Sequence, residues 1–195
     1  MIITISGKPG SGKSTVAKII ANKLAFKHYS VGDFLGKMAK ERNISLEEIG
    51  ELAKKDETID KLLDDYQRDL GKNEDNFIID SRIGFNFIPH SVKIFIEVDL
   101  RFAAERVFKD QRDDEEQKDS VQSMLKGMKK RIDLEKERYK KYYGIEDFHD
   151  PKHYDYVIDS TNITAEQVAD NIIKFIKTRI AEGVKNVLKN NKSME

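Results

Sequence analysis

Short apolar runs alternate with segments in which apolar residues recur every three or four positions along this chain of 195 residues. The runs fall at residues 2–5, 76–80, 92–98 and 154–159, and a shorter one falls at residues 27–30. Runs of this length predict strands, and the wider spacing predicts helices with one apolar face. Strands that alternate with helices predict a parallel sheet covered by helices on both faces. The pattern therefore indicates an α/β fold.

Two stretches interrupt this alternation. Residues 32–72 predict three helices in succession, the second of which begins at a capping box on Ser45. Residues 109–119 are too charged for a core element and form either a solvated loop or a lid over bound phosphates. A long helix is predicted over residues 120–143. A lysine- and asparagine-rich tail after Gly183 is expected to fray.

Residues 7–15 fit the phosphate-binding motif G-x-x-x-x-G-K-[ST] in full, between the first strand and a helix that begins near Lys13. Glycines let successive backbone N–H groups point at one anion, and the helix start adds its positive dipole end. Lys13 supplies a mobile charge for the β- and γ-phosphates, and the Ser14 hydroxyl supplies a ligand for Mg²⁺. A glycine turn that only caps a helix is the alternative, which a full match in this context disfavours. The predicted triphosphate-binding residues are Gly7, Lys8, Pro9, Gly10, Ser11, Gly12, Lys13, Ser14 and Thr15.

Polar residues follow the second and third strands, where the ligand crevice of a parallel sheet lies. Asp80, Ser81 and Arg82 come directly after the third strand. Asp80 suits a Mg²⁺-bound water, and Arg82 suits an acceptor phosphate, which it would grip through two parallel hydrogen bonds. A salt bridge within the loop is the alternative. After the second strand, Asp33 either caps its helix or orients a metal-bound water.

Two further groups of charged residues come later in the chain. Arg131, Glu135 and Arg138 lie at positions i, i+4 and i+7 of the long helix, so they share one border of its apolar stripe. That border either faces a cleft or carries an ordinary surface ion pair. Arg106 and Arg112 flank the point at which the charged stretch would hinge as a lid.

Composition excludes several classes of protein. The 35 basic and 35 acidic residues cancel, so no overall charge favours nucleic acid or an anionic membrane. The chain has no cysteine, which excludes disulfides, and its four histidines lack metal-ligand spacing and are expected at the surface or in loops. No apolar run reaches the length of a membrane span, and a strand that begins at residue 2 leaves no room for a signal peptide. We expect a soluble, cytoplasmic protein that binds neither nucleic acid nor membrane.

Together these residues resemble the nucleoside monophosphate kinases, and among them the short, archaeal-type cytidylate kinases. Besides the glycine loop, the resemblance rests on residues 30–34, 80–82 and 131 and on R-Y-K-K-Y-Y-G-I at residues 138–145. It covers residues 1–178. It implies a P-loop three-layer α/β/α fold with a five-stranded parallel sheet. It also implies transfer of a phosphoryl group from ATP to CMP or dCMP with Mg²⁺, by an enzyme that we expect to be a monomer.

The resemblance further implies domain limits and residue roles. One kinase domain would span residues 1–182, with its core at 1–31, 73–107 and 121–182, a helical monophosphate-binding insertion at about 32–72, a small lid at about 108–120, and a charged tail at 183–195. The catalytic residues would be Lys13, Arg82, Arg131 and Arg138. Arg106 and Arg112 would join the ATP-binding residues. The acceptor would be bound by Ser30, Asp33, Lys37, Arg82, Glu135 and Arg138. The metal would be held by Ser14 and, through water, by Asp80 and Asp33.

The chain departs from the family at one position. Three residues after Asp33 the family places an arginine that grips the acceptor phosphate, but this chain has Gly36, followed by Lys37. A residue one position later on a helix points about 100° away, so Lys37, Lys40 or Arg42 would have to reach in. Two alternatives follow: a kinase of another nucleotide or small metabolite, and an ATP-binding regulatory module without transfer activity.

Overall fold

Five strands, all parallel, form the sheet in the described part of the chain, which comprises residues 1–53, 56–110 and 118–192 of the computed structural model. The strands are β1 (Ile2–Gly7), β2 (Lys27–Ser30), β3 (Phe77–Asp80), β4 (Val92–Glu97) and β5 (Tyr156–Asp159). Their order across the sheet is β2–β3–β1–β4–β5. The predicted α/β fold with a five-stranded parallel sheet is confirmed.

Helices connect the strands and cover both faces of the sheet. They are α1 (Lys13–Leu24), α2 (Val31–Glu41), α3 (Leu46–Ala53), α4 (Glu57–Asn73), α5 (Gly84–Phe87), α6 (Leu100–Lys109), α7 (Val121–Tyr143) and α8 (Ala165–Lys192), with a 3₁₀ turn at Pro151–His153. Within the described ranges, none of these helices is both long enough and apolar enough to cross a membrane.

Successive residues of the central strands point to opposite faces of the sheet and build two cores. Ile3 and Ile5 of β1 pack with α1 and α8 on one face. Phe77 and Ile79 of β3 pack on the other face with α5, with Tyr139 of α7 and with the segment that follows α7. All six residues of β1 are buried, as expected for a strand covered on both sides. The carboxyl ends of β1 and β3 are thereby fixed side by side.

Helices α2, α3 and α4 form the insertion between β2 and β3 and pack around a small core of their own, which includes Met38, Ile49 and Ile59. The capping box is present, because the Ser45 hydroxyl accepts from the Glu48 N–H and the Glu48 carboxylate accepts from the Ser45 N–H. The sequence therefore indicated the helical content of this insertion correctly.

Two helix ends and one short helix differ from the sequence expectation. Helix α4 was expected to end near Gly71 but continues to Asn73; a Cβ at Gly71 would lie 3.1 Å from two side-chain carbons of Ile88, so the glycine permits close packing there. The short helix α5 was not predicted. The backbone of α8 continues past Gly183 to Lys192, where a frayed tail was expected. Most of the predicted lid, residues 111–117, lies outside the described residues.

Candidate active site

The loop between β1 and α1 leaves the N-terminus of α1 open to an anion. Gly10 and Gly12 have φ angles of 72° and 79°, which favour glycine, and a Cβ at Gly10 would lie 2.8 Å from the Cβ of Ala103. Gly12 caps α1 without a side-chain hydrogen bond. The first N–H groups of a helix have no partner within it, so those of α1 are available for phosphate oxygens. Residues 7–15 are called the donor side below.

Lys13 lies among other cations in this site. Burial lowers the pKa of its ammonium group to about 7, and the charges of Arg82 and Arg131 act in the same direction. Asp80 and Glu135 oppose the shift without cancelling it. A phosphate anion beside Lys13 would reverse the shift, because an opposite charge favours the protonated amine. An anion bound beside Lys13 would therefore stabilise its charged form.

Asp80, at the end of β3, faces the start of α1. It is 2% exposed, and its Oδ1 accepts hydrogen bonds from the hydroxyls of Ser14, at 3.0 Å, and Ser30, at 3.2 Å. Its Oδ2 lies 2.8 Å from Nε2 of His28. Burial alone would raise the pKa of Asp80, but the His28 hydrogen bond and the Lys13 charge hold it below its usual value. The Ser14 hydroxyl is thus joined to an ionised carboxylate.

Two sequence interpretations are wrong at this point. Asp33 does not cap α2, because the Ser30 hydroxyl accepts the Asp33 N–H at 3.2 Å and Ser30 is the N-cap. Asp33 itself is exposed in the first turn of α2. His28 is neither a surface nor a loop residue, because it lies in β2 with its side chain only 16% exposed. The strand has only four residues, so the alternation of polar and apolar positions is too short to predict whether the His28 side chain points inward.

Glu135 of α7 is a buried carboxylate shared by two arginines. It is 8% exposed, and its Oε1 lies 3.1 Å from Nε of Arg82 and 3.1 Å from Nε of Arg131. Burial opposes ionisation, but the two guanidinium groups lower the pKa of Glu135 to about 2. Arg82 also donates from Nη1 to the Gly7 carbonyl at 2.9 Å. The alternatives of an ordinary surface ion pair on α7 and of a salt bridge within the Arg82 loop are therefore wrong.

Arg138 lies one helical turn beyond Glu135. Its Nη1 is 3.7 Å from Oδ1 of Asp60 on α4, and its Nη2 is 3.4 Å from the Tyr139 hydroxyl. Burial would lower the pKa of Arg138, but Tyr139, Asp60 and Glu135 raise it, so the guanidinium stays charged. Arg82, Arg131, Glu135 and Arg138 are called the acceptor side below. Together with Lys13, they bring the four cations predicted to be catalytic around one carboxylate.

Of the two arginines predicted to flank a lid, only Arg106 lies within the described residues. Arg106 donates from Nη2 to the carbonyl oxygens of Ser160, at 2.7 Å, and Thr161, at 2.6 Å. The Ser160 hydroxyl in turn donates to the Ser11 carbonyl at 3.1 Å. Arg106 thus holds the loop after β5 against the donor side. Arg112 lies outside the described residues.

Lys8 and Lys37 occupy two different clefts. Lys8 is ion-paired with Glu97 beside a cleft of about 660 Å³ that also reaches Phe102 and Thr161. Lys37 is exposed and lines a groove of about 270 Å³ between α2 and α4, next to Leu62. The donor-side lysine therefore adjoins space beside the glycine loop, whereas Lys37 lines a groove apart from the Glu135 cluster.

Sequence reasoning missed the buried polar face of α4. Asp60, Asp64 and Gln67 are 8%, 9% and 2% exposed. Gln67 accepts the Ser81 hydroxyl at 2.6 Å, and Asp64 accepts the Tyr143 hydroxyl at 2.9 Å. The three residues have the same i, i+4, i+7 spacing as the charged residues of α7. That spacing, beside the apolar stripe of α4, was the available signal.

Comparisons with known proteins agree with this architecture. The cytidylate kinase-like family matches residues 2–162. A cytidylate kinase of Methanocella arvoryzae is 38% identical over 90% of this chain and 97% of its own length. One from Archaeoglobus fulgidus is 34% identical over 92% of this chain and 96% of its own length.

Among solved structures, a shikimate kinase from Aquifex aeolicus superposes with a TM-score of 0.57 at 18% identity, over 92% of this chain and 98% of its own, a likeness of fold alone. Because both the family match and the archaeal relatives extend over most of its length, the chain belongs to the cytidylate kinase-like family of P-loop nucleoside monophosphate kinases.

Proposed function

We propose that this protein transfers the γ-phosphoryl group of ATP to a nucleoside monophosphate, converting CMP or dCMP to the diphosphate. The observation that carries the proposal is the group of four cations around buried Glu135, directly beside the glycine loop. A phosphoryl donor and a phosphate acceptor both bring negative charge to one place, and such a cluster stabilises that charge as it is redistributed. The named activity of the archaeal relatives supports the same conclusion.

The chain's own residues would act mainly by positioning. The N–H groups of the donor side and Lys13 would hold the β- and γ-phosphates, while Arg82 and Arg131 would hold the acceptor phosphate in line with them. An oxygen of that phosphate attacks the γ-phosphorus, and the bond from the γ-phosphorus to the ADP oxygen breaks. The acceptor is already ionised, so no protein base has to remove a proton. Glu135 keeps Arg82 and Arg131 together before the substrates arrive.

Mg²⁺ fits the oxygen groups next to the donor side. Ser14 and ionised Asp80 supply hard oxygen atoms 3.0 Å apart, which suit this ion. Within the described residues there is no cluster of three or more metal-binding side chains, which agrees with an ion that is held largely by phosphates and water. Ser14 would bind it directly, and Asp80 and exposed Asp33 would bind it through water. When bound, Mg²⁺ would neutralise part of the negative charge of the ATP phosphates.

An ADP-release assay over CMP, dCMP, UMP, AMP, GMP and a few small-molecule alcohols tests the proposal. We expect release stimulated by CMP and dCMP, with CDP and dCDP as products on chromatography. Lys13→Met should slow it by at least about 10²-fold, and Lys18→Met, on an exposed position of α1, should leave it unchanged. Stimulation only by another acceptor would favour a different kinase. Tight ATP binding without turnover on any acceptor would instead indicate a regulatory module.

We further infer that the enzyme works on small nucleotides as a cytoplasmic monomer. The lack of cysteine supports the cytoplasm, and the balanced charge supports small nucleotides over nucleic acid as substrates. Size-exclusion chromatography with light scattering checks the monomer, for which a mass near 22.5 kDa is expected.

A further inference from the structure

Strand β2 lies at the edge of the sheet and contributes two polar side chains to the surroundings of Asp80. In the parallel pairing of β2 with β3, Ser30 stands opposite Asp80 and His28 stands opposite Ile78. Alternate residues of a strand point to the same face, so all four residues lie on one face of the sheet. Ile78 packs there in the core that α1 shares. The side chains of His28 and Asp80 are accordingly only 16% and 3% exposed.

The hydrogen bonds to the Asp80 carboxylate are divided between its two oxygens. The hydroxyls of Ser14 and Ser30 both donate to Oδ1, at 3.0 and 3.2 Å. Oδ2 instead lies 2.8 Å from Nε2 of His28. An ionised carboxylate only accepts hydrogen bonds, so Nε2 carries the hydrogen and donates it. The carboxylate is therefore held by two hydroxyls at one oxygen and by an imidazole at the other.

This division fixes the rotation of the Asp80 carboxylate. The terminal torsion of an aspartate side chain is broad, so hydrogen bonds to one oxygen alone leave the group able to turn. Because His28 holds Oδ2, Oδ1 stays directed at the Ser14 hydroxyl. That hydroxyl donates its one hydrogen to Oδ1, which leaves the lone pairs of its oxygen available to a metal ion. The orientation of both oxygen groups that suit Mg²⁺ thus depends on His28.

We propose that His28 is a positioning residue for the metal–ATP complex: its Nε2–H group orients Asp80 and, through Asp80, the Ser14 hydroxyl toward the ion. This inference rests on the proposed function, which supplies ATP with its Mg²⁺. Residues that hydrogen-bond to metal-binding groups typically contribute about 10- to 100-fold to metal affinity or activity. His28 acts through Asp80 and not on the nucleotide, so its removal should weaken ATP binding only when the metal is present.

Calorimetric titration with ATP, in Mg²⁺ and separately in EDTA, tests this assignment. His28→Leu removes the donor and leaves an apolar side chain. It should weaken binding by about 10- to 100-fold in Mg²⁺ and by less than about twofold in EDTA. His28→Gln keeps an N–H donor, so it should bind within about threefold of the wild type in both solutions. His90→Leu makes the same change at an exposed histidine and should leave both affinities unchanged.

The variants also separate this role from a purely structural one. Equal losses of affinity in Mg²⁺ and in EDTA would mean that His28 only supports the fold, and would overturn the proposal. A His28→Gln variant as weak as His28→Leu would overturn it too, since the hydrogen bond would then not be the contact that matters. Thermal melting checks that each variant is folded.

A second measurement uses the wild-type protein, so it does not depend on the folding of a variant. Nuclear magnetic resonance of isotope-labelled histidine shows which ring nitrogen carries the hydrogen. In His28, Nε2 should carry it, and MgATP should shift the ring resonances more than ATP in EDTA does. The exposed ring of His90 should respond to neither. A hydrogen on Nδ1 alone, or an equal response of His28 to ATP with and without the metal, would refute the assignment.

Two outcomes distinguish this inference from the function on which it rests. Turnover of CMP, together with a preference for MgATP that His28→Leu does not change, would refute the inference and leave the kinase proposal intact. A loss of ATP affinity in His28→Leu that is confined to Mg²⁺, without turnover of any monophosphate by the wild type, would refute the kinase proposal. The role of His28 in binding the metal–ATP complex would then still stand.

Discussion

The donor side of the candidate active site comes from nine consecutive residues, 7–15. Its acceptor side, by contrast, joins Arg82 to Glu135, which lies 53 positions later in the sequence. The donor side binds through backbone shape, set by Gly10 and Gly12. The acceptor side binds through side-chain charges that are oriented by other side chains. A compact motif thus fixes one half of the site, and tertiary packing fixes the other half.

The two sides also balance charge differently. On the donor side, Lys13 is a half-buried cation whose pKa is lowered to about 7, so its charge is poorly compensated before a ligand binds. On the acceptor side, Arg82 and Arg131 are held by Glu135, whose pKa is lowered to about 2. The donor side therefore depends on its ligand for compensation, whereas the acceptor side carries its own counter-charge. Substitutions on the two sides should consequently have opposite effects on stability.

The largest effect is expected for Lys13→Met. Loss of the charge that stabilises the transferred group should lower kcat by about 10²- to 10³-fold. The free energy of unfolding at pH 6 should stay the same or increase, because the substitution removes a half-buried cation that the charges of Arg82 and Arg131 disfavour. ADP release and urea unfolding followed by circular dichroism measure the two effects. A variant that is less stable than the wild type would show that Lys13 supports the fold.

Glu135→Gln should have the opposite effect on stability. The amide removes the buried negative charge that Arg82 and Arg131 share, which should lower the free energy of unfolding by about 3 kcal/mol. Urea unfolding measures the loss. The matched control is Glu137→Gln, an exposed position two residues later, which should change stability by less than about 0.5 kcal/mol. Equal effects of the two variants would contradict the proposed role of the buried carboxylate.

Arg82→Ala separates the two sides kinetically. Arg82 contacts Gly7 of the donor side through one nitrogen and Glu135 through another, so its position alone does not assign it to one substrate. If it holds the acceptor phosphate, kcat/KM for CMP should fall by roughly 10²-fold, with a much smaller change in the KM for ATP. Steady-state kinetics with each substrate varied in turn measures both. A rise in the KM for ATP alone would place Arg82 on the donor side.

The donor side and the acceptor side also differ in how well the sequence predicts them. The strands, the helical insertion and the whole donor side follow from local patterns: periodicity, a capping box and one contiguous motif. The spacing of Arg131, Glu135 and Arg138 placed them on one face of α7 but left open whether that face was buried. Only the packing of α7 against the loop after β3 decided that question, and no local pattern encodes such a contact.

His28, which is half-buried, and Asp60, which is buried, are polar residues whose burial the sequence did not predict. His28 occupies a strand too short for its alternation to show which residues point inward. Asp60 lies in a helix whose charged residues mostly face solvent, so its burial depends on the position of α7. Both are polar residues whose partners come from distant segments of the chain. Residues of this kind become recognisable only when the tertiary contacts are known.

The pH dependence of ATP binding should report the uncompensated charge of Lys13. In the free protein its pKa is about 7, and bound phosphates raise it, so binding takes up a proton above pH 7. Affinity should be constant below about pH 6.5 and should fall by up to about tenfold per pH unit above pH 7. Calorimetry in buffers of different ionisation enthalpy at pH 8 measures the uptake directly. Lys13→Met should abolish it, and Lys18→Met should retain it.

The smallest effect concerns Gly36, where the family has an arginine. A Cβ at this position would have no heavy atom within 4 Å, so a side chain can be added without a clash. Both Gly36→Ala and Gly36→Arg should stabilise α2, by up to about 1 kcal/mol, because glycine is a poor residue in a helix. Comparing the two variants cancels this effect and leaves the added charge. If the open space at Gly36 adjoins the acceptor phosphate, the KM for CMP should be about fivefold lower in the arginine variant than in the alanine variant. Equal values would mean that Arg82 and Arg131, organised by Glu135, already supply the charge that the acceptor phosphate requires.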